Sequence, residues 1–293
     1  MLDSRSRNPL SKTYLSTLLI EVLKIKNLFR LVRAEMLLVY ADFFRRKIVM
    51  ITYLAWPYMT TTFMLMIGYA VGSPQAFAER VGVEPALFLI VGSYLLFSSM
   101  SVVDDIMWRP IFDESVGTLP YIISSPAGVV LHYLSIPIPR FVLSLVLGLT
   151  TLFPVLVVLR GLSGVLIGLI VMFISVVSVA TFVPLATALG LGLYVAGGEN
   201  WRAINFLRPL LLILVGVYYP RWLMSLPLYI VSSLIPPAHC VEVVQRIVVG
   251  LAEASTTTVS LVLALFLGLA YSPGMLRATR AWELRKLREG VKT

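Results

Sequence analysis

One cysteine in 293 residues, Cys240, excludes an internal disulfide and any multi-cysteine metal site. No Gly-x-x-x-x-Gly-Lys-Ser/Thr string occurs, so these residues offer no P-loop cradle for nucleotide phosphates. Charge is missing in a third way. Six apolar runs, Ile48–Gly72, Pro85–Val103, Phe141–Leu159, Leu162–Gly198, Pro209–Pro220 and Ala254–Leu276, have no charged residue in their centres. Pumps and antiporters driven by ions place Asp, Glu, His or Arg inside the bundle, and that class is disfavoured here. An active transporter with neither a P-loop nor an ion path draws its energy from another polypeptide.

What is present is apolar length. All runs but the fifth reach at least 19 residues, and a bilayer core of about 30 Å needs roughly 20 helical residues. With 58% hydrophobic residues and a mean hydropathy of +0.90, the chain exposes too much apolar surface for a water-soluble core of this size. The expected fold class is an all-α membrane protein with six transmembrane helices. An interfacial amphipathic helix precedes them, and an outer re-entrant helical hairpin lies between spans five and six. Three segments follow: a cytoplasmic stretch 1–47, a spanning domain 48–276 and a basic cytoplasmic tail 277–293. Met1–Asn27 is polar and basic without a signal-peptide core, so the first span is expected to be retained.

The formal charge of +9 is explained by topology rather than by nucleic acid. Ten of the 24 Lys and Arg precede Ile48 and six follow Leu276. With six spans and both termini cytoplasmic, the inner side also holds Arg109, Arg140, Arg202 and Arg208. The outer side holds only Arg80, Arg160, Arg221 and Arg246, a ratio of twenty to four. Trp222–Val241 is a second uncharged stretch, but Pro227, Pro236 and Pro237 break it. Before the first span, Leu28–Lys47 combines Leu31, Met36, Leu37, Val39, Tyr40, Phe43 and Phe44 with Arg33, Asp42, Arg45 and Arg46, an amphipathic pattern suited to the inner membrane face.

Asp104–Asp105 are expected to end the second span, because a carboxylate costs roughly 2.5–3.5 kcal/mol at the bilayer centre. The longest charged stretch inside the membrane block follows, from Trp108 to Pro126. Within it Asp113 and Glu114 precede a short apolar run, Leu119–Ile123, terminated by Ser124-Ser125-Pro126. The reading is either a solvated connector or a short cytoplasmic helix with an acidic start, a docking element that transmits force along its axis.

Glu114-Ser115-Val116-Gly117-Thr118-Leu119-Pro120-Tyr121-Ile122-Ile123-Ser124-Ser125-Pro126 resembles the "E-x-G-T-L-E-x-L-x-x-S-P" loop of type-2 ABC exporter permeases. It departs by one extra residue between Glu114 and Gly117, and by Pro120 where the family often has Glu. Gly216-Val217-Tyr218-Tyr219-Pro220, Leu226-Pro227, Leu234-Ile235-Pro236-Pro237, Val241-Glu242 and Arg246 resemble that family's outer hairpin. The resemblance covers most of residues 28 to 276. It implies a coupling loop of Arg109, Asp113, Glu114, Gly117, Thr118, Leu119, Ser124 and Pro126 that meets a separate P-loop ATPase subunit. ATP and Mg²⁺ would be bound by that partner, with no cofactor in this chain. It further implies a second permease subunit, identical or related, and a plasma-membrane location among lipid. The cargo would be a lipid, a drug-like compound or another amphiphile moved outward; polysaccharide or lipid-linked glycan export is the alternative within the family.

Thr60, Thr61, Thr62, Ser98, Ser99 and Ser101 are candidate path-lining groups, with Tyr218 and Tyr219 as a candidate outer gate; helix packing accounts for the hydroxyls equally well. Gly164, Gly168, Ser175, Ser178, Ala186, Gly190 and Gly192 suit close packing of the fourth span. Glu242 and Arg246, four apart, are read as an exposed pair pinning the hairpin, with about 0.3–0.5 kcal/mol to contribute. His239 and Cys240 point apart on a helix and make a poor metal or nucleophile pair. Rival readings are an intramembrane serine protease using Ser163 in Gly161-Leu162-Ser163-Gly164, a prenyl- or phosphotransferase lacking its second Asp-rich motif, and a passive channel or scaffold.

Overall fold

The computed structural model describes residues 9–71, 73–81, 85–197, 205 and 209–289. Arg202 and Arg208, Arg5 and Arg7, and Lys292, all counted above for topology, lie outside the described residues. Every regular element among the described residues is helical: α1 Pro9–Arg45, α2 Lys47–Val71, α3 Pro74–Val81, α4 Pro85–Ser115, α5 Leu119–Ile123, α6 Gly128–Ser135, α7 Pro137–Arg160, α8 Leu162–Gly197, a 3₁₀ turn Arg221–Leu223, α9 Leu226–Ser232, α10 Pro236–Val249 and α11 Ala254–Glu289.

Five stretches among the described residues are long and apolar enough to cross a membrane: Lys47–Ile67, Pro85–Ser115, Gly128–Arg160, Leu162–Ala196 and Ala254–Glu289. The third joins α6 and α7 across Ile136. Each carries a proline well inside a helix: Pro57, Pro110, Pro154, Pro184 and Pro273. Such prolines break helices in water but persist in spanning helices, where neighbouring groups satisfy the freed carbonyl. The outer faces agree. Ile51, Met59 and Phe63 on α2 and Val259, Phe266 and Leu269 on α11 are all exposed, an apolar surface that water does not support on this scale. The chain is an all-helical protein of membrane-embedded character.

The fifth of the expected spans is not among these five stretches. Pro209–Pro220 is helical only over 209–214, then turns through Gly216 at φ 76°. The proline-broken stretch beyond it forms α9 and α10, bent by 111°. Their prolines sit in first turns, Pro227 in α9 and Pro236–Pro237 in α10, where the missing N–H has no intrahelical acceptor anyway.

Three helix boundaries fall away from the expected segment limits. α4 runs ten residues past Asp105, to Ser115. α11 passes unbroken through 277, the expected start of the basic tail. The amphipathic segment 28–47 belongs to the 37-residue α1, which breaks only at Arg46. Its apolar residues also part company: Val39 and Phe43 enter the protein beside Glu35, while Met36, Leu37, Tyr40 and Phe44 face outward.

α4 is the central helix. The share of its apolar window buried inside the protein is 83%, against 11% for α2 and 17% for α11. It packs against α8, α7, α2 and α10, and α11 lies along α8. Small residues permit this closeness: a Cβ on Gly268 of α11 would fall 2.9 Å from the Thr181 backbone of α8.

Candidate functional site

The end of α4 carries Asp105, Arg109 and Asp113 at four-residue intervals, so all three lie on one helical stripe. In lipid this stripe would be prohibitive, and in the protein each member has a partner. Arg140 of α7 grips Asp105 with Nε at 2.6 Å and Nη2 at 2.9 Å, a bidentate pair. The same guanidinium stands over the rings of Phe43 at 5.0 Å and Tyr53 at 5.5 Å. Arg109 donates to Glu35 of α1 and lies 3.2 Å from Asp113 Oδ2. His132 of α6 completes the group, with Nε2 3.2 Å from Asp113 and Nδ1 4.0 Å from Glu35. All four of Glu35, Arg109, Asp113 and His132 are buried. Burial pushes the Glu35 carboxyl above its ordinary 4.5, against the opposing pull of Arg109 and His132.

The loop after α4 follows from this anchoring. Gly117 takes φ 73°, a left-handed conformation that L side chains rarely adopt, and reverses the chain. Thr118 closes back on α4, its N–H on the Asp113 carbonyl at 3.0 Å and its hydroxyl on Asp113 Oδ1 at 3.1 Å. The short helix α5 then covers Leu119–Ile123 with Leu119 buried. Ser124 ends it by donating to the Pro120 carbonyl at 2.7 Å, and Pro126 lies in the turn into α6. Tyr121, 76% exposed, and Val116 project outward. The acidic start expected for this helix is absent: Asp113 and Glu114 belong to the last turn of α4, and no acidic residue stands in the first turn of α5.

Glu114 reaches the other side of the bundle. It accepts from the Tyr194 hydroxyl of α8 and from Lys286 Nζ of α11 at 3.0 Å. Lys286 also stands 4.9 Å from the Tyr194 ring. Nearby, buried Trp282 meets Tyr133 edge-on at 5.8 Å, which joins α11 to α6. The loop residues thus sit on a collar of ion pairs touching α1, α6, α7, α8 and α11. Sequence reading missed Glu35, His132, the Asp105–Arg140 pair, Tyr194 and Lys286. The interval of four along Asp105, Arg109 and Asp113 was the available signal.

A second charged cluster lies at the bent pair. Glu242 is buried, contrary to the exposed pair expected, and holds two guanidinium groups. Arg246 donates to Oε1 at 2.8 Å and Arg221 to Oε2 at 2.8 Å. Arg221, 0% exposed, also donates to Ser232 and Ser233 at 2.8 Å each and stacks over Tyr229 at 4.9 Å. Burial lowers its pKa below the ordinary arginine value, opposed by Glu242. Sequence reading had Glu242 and Arg246 but not Arg221, which the 3₁₀ turn brings in.

The remaining candidates separate. Tyr218 packs half-buried on the core, whereas Tyr219 is exposed and donates to the Leu223 carbonyl at 2.8 Å. Ser98 and Ser101 donate to carbonyls of their own helix, and Ser99 bonds Ser178 of α8 at 2.9 Å. Thr60 turns back to Trp56, and Thr61 meets Ser93 at 3.5 Å. Ser163 donates to the Arg160 carbonyl, while His239 bonds the Ser233 carbonyl and His132 faces Asp113. His132 lies before α7 and Ser163 after it, so a 24-residue helix of about 36 Å separates them.

Comparison of the chain with protein-family models, with curated proteins and with solved structures finds no match.

Proposed function

We propose that this chain is the membrane-spanning permease subunit of an ATP-driven exporter similar to the type-2 ABC family. It works with a separate P-loop ATPase subunit, which binds ATP and Mg²⁺, and with a second permease subunit, and it moves an amphipathic cargo outward across the plasma membrane. In this reading both termini are cytoplasmic, α1 lies along the inner membrane face, and the segment at 209–220 counts as the fifth of six spans. α9 and α10 form the outer hairpin. α5 is the element that the ATPase pushes.

The observation that carries this reading is the mounting of α5. A five-residue helix presents Tyr121 outward while its base is tied by Thr118 to Asp113 and by the adjoining Glu114 to Lys286. A push on such a helix is delivered to α1, α6, α8 and α11 together, since packed ionic networks move as units rather than deform.

The test is purification of the tagged chain from its own membrane in mild detergent, with identification of what accompanies it. A stoichiometric P-loop ATPase, lost when Glu114–Leu119 is scrambled, supports the reading. In the reconstituted complex, Glu114→Ala and Gly117→Val each abolish stimulation of ATP hydrolysis while membrane insertion persists. Full stimulation in both variants sinks the assignment of this loop.

A further inference from the structure

Where α1 crosses the end of α4, four buried ionisable side chains meet: Glu35 from α1, Arg109 and Asp113 from α4, and His132 from α6. Among the described residues, their ionic partners are one another. The charged groups just beyond are matched elsewhere. Asp105 pairs with Arg140 of α7, Lys286 of α11 with Glu114, and Asp42 with Arg46. α5 brings no charged residue, and Tyr133, whose ring centre is 5.5 Å from that of His132, is a phenol without charge at neutral pH.

Two carboxylates against one guanidinium leave one negative charge in excess, away from water. A proton on His132 cancels it. The imidazole is placed for this, with Nε2 3.2 Å from Asp113 and Nδ1 4.0 Å from Glu35, so each ring nitrogen has a carboxylate on its side. The burial that raises the Glu35 carboxyl expresses the same excess. Without α1, Arg109 and Asp113 balance each other and the imidazole needs no charge. The excess therefore arrives with α1, in Glu35.

α1 is mounted so that it can leave. Arg46, outside both helices, joins it to α2. Phe43, set against Tyr53 and Arg140, holds the end beside this joint. Further along, cavities of about 300 Å³ and 110 Å³ flank the Glu35–Arg109 contact. Leu31 and Leu38 face the first across from Ile122, and Leu38 faces the second across from Trp108. Apolar packing that would hold α1 without its ions is thin here.

We propose that this cluster is a proton-operated latch: a proton taken up by His132 fastens α1 to α4 and α6, and its release frees the part of α1 before Phe43 to swing about Arg46. The latch belongs to the single chain and does not rest on the exporter reading. Its bearing on α5, through Thr118 on Asp113, does. The docked state holds one proton more than the undocked state, so docking is strongest in acid and weakens as pH rises. Histidine side chains change charge between about pH 5 and 8, which sets the range to examine.

The test places spin labels at Phe29→Cys on α1 and Leu276→Cys on α11, both exposed positions, in a Cys240→Ala background. Double electron–electron resonance on the purified full chain in maltoside then reads the position of α1 from pH 5 to 8. One distance population at pH 5 is expected, with a second growing as pH rises and the docking constant falling by up to about tenfold per pH unit. In Glu35→Gln and in His132→Asn the ratio of the populations should stay constant across the range. Distances in the native chain that do not move with pH, or a pH response retained in either folded variant, overturn the latch. The native series needs neither variant, and where one fails to fold the other decides. Co-purification of an ATPase is a separate measurement, so the two readings fail separately.

Discussion

Lys286 and Glu114, 172 residues apart in sequence, meet at 3.0 Å and tie the last turns of α11 to the last turn of α4. The lysine is buried and the glutamate side chain is 38% exposed. A partly hydrated pair of this kind contributes roughly 0.2–1 kcal/mol, so its removal leaves the fold intact. Lys286→Met and Glu114→Gln should each lower thermal stability slightly, with a double variant no less stable than the worse single one. If the collar transmits force as proposed, Lys286→Met also lowers ATPase stimulation without touching α5. Additive losses in the double variant would show that the two residues act independently.

Arg221 should matter far more than Arg246, although both bind Glu242. Arg221 is fully buried, and its loss leaves Glu242 with one partner and Ser232 and Ser233 without their donor. Breaking a buried pair from one side costs about 3–5 kcal/mol. Arg246 is a quarter exposed, and its removal costs about 1 kcal/mol or less. Detergent-phase thermal unfolding of Arg221→Met and Arg246→Met measures the order. Equal losses would contradict the burial argument.

Glu35 gives a pH dependence with a definite sign. Its carboxyl is held above 4.5 by burial, opposed by Arg109 and His132 and reinforced by Asp113 and Asp105. A raised carboxyl contributes its stability in full below the unfolded value and loses it as pH rises through the folded value. The unfolding midpoint of the native chain should therefore fall relative to Glu35→Gln as pH rises from about 4.5, the Gln variant showing the flatter curve. A rise of the native chain over Glu35→Gln in that window would mean that the Arg109 pair outweighs burial.

The membrane-embedded helical character was legible because it needs only a count of charge-free length. The extent of α4 was not, and the reason is physical. Asp104 and Asp105 were costed as if they faced lipid, yet Asp105 faces Arg140 inside the protein, where the penalty is offset and the helix has no cause to stop. Partners such as Glu35 for Arg109, 74 residues away, or Arg221 for Glu242, 21 away, depend on how helices cross. Linear spacing shows which side a charge takes, never who meets it. The short helix Leu119–Ile123 was readable from Ser124-Ser125-Pro126 at its end, but the ownership of Asp113 and Glu114 turned on Gly117 reversing the chain after them.

The glycines of α8 were read as one class, and the structure divides them. A Cβ on Gly164 would fall 2.1 Å from the Leu156 carbonyl oxygen, and backbone there has no slack to yield. On Gly168 it would meet the tip of the Phe153 ring at 2.9 Å, a side chain able to swing. On Gly192 it would meet nothing within 4 Å. Gly164→Ala should then cost about 1–3 kcal/mol through forced displacement of the α7–α8 turn. Gly168→Ala should cost less than that. Gly192→Ala should be neutral or stabilising by up to about 1 kcal/mol, since alanine restricts the unfolded chain and favours helix. Thermal unfolding of the three variants under one detergent condition reads this order, and a Gly192→Ala loss as large as that of Gly164→Ala would show that a partner surface covers α8 at Gly192, which is open in the single chain.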